Sequence, residues 1–277
     1  MRLPLEIAGK TDKGLKRTKN EDTFIVDPDL GLMVLADGMG GHSAGDVASQ
    51  LASTVCSNQL RLSLQTGHVP IFKHVPQRSE LDPRSLLLGD CVKFSNQAVF
   101  EAAQSNKATR NMGTTLVAAL WLDGKLAVAH VGDSRLYMVR GGDITQCTTD
   151  HSFVQEQVDK GLIKPEEAEK SNMRNMLTRS IGISDDVEVD VNEIDLDEGD
   201  YVLLCSDGLT KMLDDEKILQ TFQEKEKPDA IADDLVGLAN KAGGDDNVTV
   251  IVAKIQGPKS SWVTLSDRLK KLFKKGN

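Results

Sequence analysis

Five aspartates stand where apolar runs begin or end: Asp22, Asp37, Asp133, Asp207 and Asp246. Two share one setting, an apolar stretch closing on an acid and then a glycine: Ala36-Asp37-Gly38 and Ser206-Asp207-Gly208. A carboxylate at the end of a buried strand is costly to desolvate unless something pairs with it. None of the five has a His or Cys beside it at metal-ligand spacing. An all-oxygen set, with the Gly38 carbonyl beside Asp37, suits a hard octahedral cation, Mg²⁺ or Mn²⁺, rather than zinc. Mg²⁺ keeps several of its waters, so few protein ligands are needed. Two such ions about 4 Å apart can lower the pKa of a shared water and make a nucleophile for in-line attack at phosphorus. Any one of these acids alone reads better as a turn aspartate. Five of them at strand termini favour a metal cluster.

The elements that must carry these acids follow from periodicity. Leu32–Ala36 reads as a buried strand delivering Asp37 and Gly38. Gly40, Gly41 and His42 come next, and Ser43-Ala44-Gly45-Asp46 fits the capping-box pattern that opens a helix. Val47, Leu51 and Val55 would share that helix's apolar face. Residues 5–9 and 24–26 read as strands. Residues 61–81, with Gly67, Pro70 and Pro76, read as a loop or insertion. Asp82-Pro83 is an N-cap followed by N1 of a helix lining up Leu87, Cys91, Phe94 and Ala98. Residues 114–120, 125–131 and 135–140 read as consecutive strands, with Asp123-Gly124 as a hairpin turn. A polar, helix-prone stretch runs to about Lys170. Tyr201–Cys205 and Val248–Ile255 are further strands. Between them Pro228 opens a helix carrying Ile231, Leu235 and Leu238, which Gly243-Gly244 stops.

The 277 residues are 39% hydrophobic and 27% charged, an ordinary soluble composition. No apolar run reaches membrane-span length, and the N-terminus lacks the apolar core of a signal peptide. Cys56, Cys91, Cys147 and Cys205 lie far apart and read as thiols of a reducing cytosol, so a cytoplasmic protein is expected. A net charge of −9 argues against nucleic acid as a partner. Residues 259–277 carry +5, leaving −14 on the rest. In that tail Trp262, Leu265, Leu269 and Leu272 recur at helical spacing among Lys270, Lys271, Lys274 and Lys275. Such a basic amphipathic helix has three readings: docked on the acidic body, disordered alone, or a peripheral contact with an anionic membrane or partner.

The motifs, in order, are Arg17-Thr18-Lys19-Asn20-Glu21-Asp22, Ala36-Asp37-Gly38-Met39-Gly40-Gly41-His42, Met112-Gly113-Thr114-Thr115 and His130-Val131-Gly132-Asp133-Ser134-Arg135-Leu136-Tyr137. Thr149-Asp150-His151-Ser152, Arg179-Ser180-Ile181-Gly182, Ser206-Asp207-Gly208 and Gly244-Asp245-Asp246-Asn247 follow. In these eight segments, across residues 5–255, the chain resembles the PPM (type-2C) metal-dependent protein serine/threonine phosphatases in their bacterial form. The resemblance implies an α+β fold, a four-layer α-β-β-α sandwich of two antiparallel sheets flanked by helices. It implies a phosphatase domain over residues 1–257, with a flap at about 151–180, and the basic tail at 258–277 outside it.

The resemblance also implies roles. Two Mn²⁺ or Mg²⁺ ions, with a weaker third, would supply a bridged water or hydroxide for in-line attack on phosphoserine or phosphothreonine. Asp37 corresponds to the bridging carboxylate, the Gly38 carbonyl to a ligand of one ion, and Asp207 and Asp246 to ligands of the other. Glu21 and Asp22 correspond to outer acids, and Asp133 with Asp207 to the pair holding the third ion. Arg17 corresponds to a phosphate clamp, its plain alternative being a surface arginine. His42 corresponds to a general acid, its alternative being a helix-start histidine that only bonds locally. The implied partners are phosphoproteins and a cognate serine/threonine kinase, for a monomeric enzyme. The competing reading is a catalytically silent pseudophosphatase used as a binding module. It would be expected to lose the acids or the clamp, and all are present.

Overall fold

Alternation along each strand decides what each sheet buries. On the strand Leu32–Met39, Leu32 and Val34 point to one apolar cluster while Met33 and Leu35 point to another. On Val248–Ile255, Val248, Val250 and Val252 face a third cluster while Ile251, Ala253 and Ile255 join the second. A strand buried on both faces must lie between two layers. Three clusters therefore mean four layers, and the central cluster is the space between two sheets.

The structure, a computed structural model, describes residues 4–39, 44–68, 80–168 and 170–257. In chain order the elements are β1 (Leu5–Asp12), β2 (Asp22–Asp27), β3 (Leu32–Met39), α1 (Gly45–Thr66), α2 (Pro83–Ser105), β4 (Gly113–Thr114), β5 (Leu116–Trp121), β6 (Lys125–Val131), β7 (Arg135–Arg140) and β8 (Asp143–Gln146). There follow α3 (Phe153–Asp159), α4 (Pro165–Ala168), β9 (Asp190–Asp195), β10 (Tyr201–Cys205), α5 (Asp207–Thr210), α6 (Asp215–Glu224), α7 (Pro228–Ala242) and β11 (Val248–Ile255). One sheet runs β1-β11-β10-β7-β8, and the other β2-β3-β5-β6-β9 with β4 paired to β3. Every pairing is antiparallel. Helices α1 and α2 cover the second sheet, and α5, α6 and α7 cover the first. This is the expected α-β-β-α sandwich.

The turn at Asp123-Gly124 has positive φ at both residues, 54° and 99°, as a two-residue hairpin demands. Asp82 caps α2 by accepting from the Arg84 N–H at 2.9 Å, with Pro83 at its first position. Other expectations need correction. Helix α1 is described from Ala44, its N-cap, which offers no side-chain cap bond, and Ser43 of the expected capping box lies outside the described residues. Its buried face is Ala48, Ala52, Cys56 and Leu60, one position on from the stripe expected, and Val47 is 41% exposed. Small side chains let this helix lie close to the sheet and to α2, so hydrophobicity alone pointed to the wrong face. On α2, Leu87 and Cys91 are buried but Phe94 is 37% exposed. Helix α1 runs on through Thr66 to a left-handed Gly67, so the start of the expected 61–81 loop is helical. Residues 69–79 lie outside the described residues, as does the tail 258–277. Strands β8 and β9 and helix α6 were not anticipated.

Asp90 lies buried on α2, its Oδ1 without a hydrogen-bond partner among the described residues. Burial pushes its carboxyl up to about 6, against a weaker pull from Lys93. A carboxyl raised in the folded state contributes stability that is lost as pH climbs, here between about 4 and about 6. Asp90→Asn should therefore raise the unfolding free energy by on the order of 1 kcal/mol at pH 7 and by little at pH 4. Urea denaturation at the two pH values checks this, and an equal effect at both would contradict it.

Candidate metal centre

The five aspartates sit at or beside the ends of different elements, and those ends meet. Asp22 opens β2 and Asp37 lies near the close of β3, directly paired across the ladder. Asp207 follows β10 and Asp246 precedes β11, neighbouring antiparallel strands. Asp133 lies in the turn between β6 and β7. The structure thus brings together all five, with Glu21, Gly38 and Arg17 beside them. His42 lies outside the described residues.

Neutral side chains hold these acids and the backbone that carries them. The Asp37 N–H donates to Thr115 Oγ1 at 3.0 Å, and its carbonyl accepts from Thr114 Oγ1 at 2.8 Å and the Thr115 N–H at 2.9 Å. Thr115 Oγ1 also lies 2.7 Å from Ser134 Oγ, beside Asp133. Asp22 Oδ2 accepts from Ser206 Oγ at 2.9 Å and Thr249 Oγ1 at 2.7 Å. Asn247 binds the first loop with its whole amide. Its Nδ2 donates to the Lys13 and Lys19 carbonyls, both at 2.9 Å, and its Oδ1 accepts from the Glu21 N–H at 2.9 Å. Gly38 is a close-approach glycine, since a Cβ there would stand 2.1 Å from the Gly45 carbonyl and 2.6 Å from that of Glu21.

The charges are held against their preference. Burial and then the carboxylates of Asp22, Asp207, Asp133 and Asp246 raise Asp37 well above the usual range. Burial lifts Asp22 to about 6, although Thr249 and Ser206 pull it down. Burial and then Asp207 and Asp150 lift Asp133 to about 7, opposed by Lys211. Glu21 is raised by burial and by Asp46, against Lys19 and Arg17. Opposite charge is supplied by two side chains. Arg17 Nη2 donates to Asp246 Oδ2 at 2.9 Å. Lys211 bridges Asp207 and Asp246, the latter at 3.2 Å, with its side chain only 19% exposed.

These residues fit divalent cations on the structure's own evidence. Asp22 Oδ1 and Asp207 Oδ1 are buried without hydrogen-bond partners among the described residues. The donor set is oxygen throughout, and the single charges of Arg17 and Lys211 cannot neutralise five converging aspartates. Asp37, Gly38, Asp207 and Asp246 could ligate directly, and Asp133 stands beside Asp207. Sequence reasoning missed Lys211 and the clamping role of Asn247. Lys211 follows Asp207 by four residues, one helical turn, which would have placed both on one face had Asp207 been taken as the start of a helix.

Known proteins place the chain. The family model for Protein phosphatase 2C matches residues 16–229. The serine/threonine protein phosphatase PstP of Mycobacterium tuberculosis is 38% identical over 253 residues, covering 91% of this chain and 45% of PstP. The chain thus spans about half the length of that relative. Protein phosphatase PhpP of Streptococcus pneumoniae is 35% identical, covering 91% of this chain and 98% of PhpP. Among solved structures, Stp1 of Staphylococcus aureus aligns with a TM-score of 0.79 at 36% identity, over 93% of this chain and 98% of its own. The catalytic domain of PstP in complex with two manganese ions aligns at 0.77 and 36%, over 91% and 99%. The chain belongs to the protein phosphatase 2C family.

Proposed function

We propose that this chain is a metal-dependent protein serine/threonine phosphatase whose catalytic domain occupies residues 1–257. The observation that carries the reading is the meeting of Asp37, Asp207 and Asp246 with the guanidinium of Arg17. When bound, two Mn²⁺ or Mg²⁺ ions would activate a water for attack at phosphorus and offset phosphoryl charge. Asp37 and the Gly38 carbonyl would hold one ion, and Asp37, Asp207 and Asp246 the other. Asp133 with Asp207 would hold a weaker third.

The remaining roles belong to the protein's own groups. Asp22 is paired with Asp37 across the β2–β3 ladder, and its Oδ2 is fixed by Ser206 and Thr249. It therefore stands beside the Asp37 carboxylate and, with Glu21, would orient waters held by the metal ions. Arg17 spends one donor on Asp246 and is half exposed, which leaves N–H groups free to grip two phosphate oxygens. The role of His42 as general acid toward the leaving seryl or threonyl oxygen rests on its sequence position. Its partners are phosphoproteins and the serine/threonine kinase whose marks it removes, and the enzyme is a cytoplasmic monomer. Among the described residues no helix is long and apolar enough to cross a membrane.

Three outcomes test this. Asp37→Asn and Asp207→Asn should each lower Mn²⁺-dependent hydrolysis of a phosphothreonine peptide by at least about a hundredfold, the scale of losing a key electrostatic group; Asp37→Asn with most of its activity would remove the bridging role. Arg17→Ala should raise KM with Mn²⁺ affinity nearly unchanged, and Arg17→Lys should recover only part, because lysine offers a point charge rather than a fork. Unchanged KM and kcat in Arg17→Ala would exclude the clamp. Lys211→Met leaves Asp207 and Asp246 facing each other without their internal cation. Calorimetry should show tighter Mn²⁺ binding, and the metal-free protein should melt lower; weaker binding would mean that Lys211 supports the metal rather than competing with it.

A further inference from the structure

His151 belongs to a segment with no part in the chemistry above, yet its ring is 4% exposed and both of its nitrogens face specific groups. Nδ1 accepts the Gly132 N–H at 3.1 Å, and the His151 N–H donates to the Gly132 carbonyl at 3.0 Å. A backbone N–H only donates, so Nδ1 carries no proton and the neutral ring bears it on Nε2. Nε2 faces Asp190 Oδ2 at 3.4 Å and has no closer partner among the described residues. The other oxygen of Asp190 accepts from Arg179 Nη1 at 2.7 Å. His130 stacks on His151 at 4.7 Å and bonds the Thr149 carbonyl through Nε2 at 2.9 Å. His130, His151 and Asp190 are close enough to suggest a metal site. His151 has no lone pair left for one, because Gly132 uses that of Nδ1 and Nε2 is protonated.

The arrangement is instead a carboxylate–histidine pair acting on a peptide group. Asp133 follows Gly132 directly, and its turn is held at Gly132 by His151 and at Ser134 by Thr115. Taking the Asp133–Asp207 corner as a cation site, as read above, we propose that Asp190 is a positioning residue. It fixes the His151 tautomer that anchors Gly132, and so sets Asp133 beside Asp207. The same carboxylate holds Arg179, and the Thr178 N–H donates to the His151 carbonyl at 2.9 Å. The end of the 151–180 segment and the Asp133 corner are therefore tied to one residue.

Asp190→Asn tests the relay because an amide cannot satisfy both neighbours. If its NH₂ faces His151, the ring proton moves to Nδ1 and meets the Gly132 N–H donor to donor. If its oxygen faces His151, the NH₂ meets Arg179. Long-range ¹⁵N NMR of the histidine rings should show Nε2–H for wild-type His151 and a population of Nδ1–H in Asp190→Asn. Mn²⁺ titration by calorimetry should show the weakest binding step loosened about tenfold, as for other groups that orient a metal ligand, with the tight steps unchanged. In His151→Asn the side-chain oxygen accepts from Gly132 with no tautomer to fix. On that background Asp190→Asn should cost no further Mn²⁺ affinity. An unchanged ring tautomer in Asp190→Asn, or the same loss in both backgrounds, would overturn the relay. If the wild type shows no weak Mn²⁺ step, the cation reading of Asp133 fails, and the tautomer measurement still decides the link between Asp190 and His151.

Discussion

Like charge brought together is the constraint on which the rest depends. Asp22, Asp37, Asp133, Asp207 and Asp246 act on one another through partly buried space, and burial already disfavours their ionised forms. A flexible chain would let them separate. Here each stands at or beside the end of a different element, and neutral side chains hold the Asp37 backbone and the Asp22 carboxylate. Thr114 and Thr115 hold Asp37, Ser206 and Thr249 hold Asp22, and Asn247 stitches the Arg17–Glu21 loop to the start of β11. The repulsion is thereby retained, and its natural relief is a multivalent cation.

The sandwich supplies the stiffness. Central strands such as β3, β10 and β11 are buried on both faces, so displacing an aspartate at a strand end would drag packed side chains with it. The close seat of α1 through Ala48 and Ala52 serves the same end, since it lets the Gly45 carbonyl approach Gly38. Function and packing separate along the strands: apolar residues fill the middles, and chemistry sits at the tips.

Much of this was legible beforehand because the signals are local. Strand-Asp-Gly is readable at Asp37 and Asp207, Asp82-Pro83 names its own helix start, and Val248–Ile255 alternates as a strand does. The missing pieces are tertiary. Lys211 gains meaning only when β11 brings Asp246 beside Asp207. Asp190 lies on an edge strand of mostly polar residues, Asp190–Asp195, with no periodic signal to announce it. The face of α1 was misjudged because its buried residues are small, and hydrophobicity follows size while close packing rewards smallness.

Diffraction from crystals soaked in Mn²⁺, recorded with anomalous signal, tests the central claim most directly. The account predicts two strong peaks flanking the Asp37 carboxylate. One would touch the Gly38 carbonyl, the other Asp207 and Asp246, with Lys211 turned away from both acids. Manganese bound only elsewhere on the protein, with Lys211 still bridging Asp207 and Asp246, would contradict it.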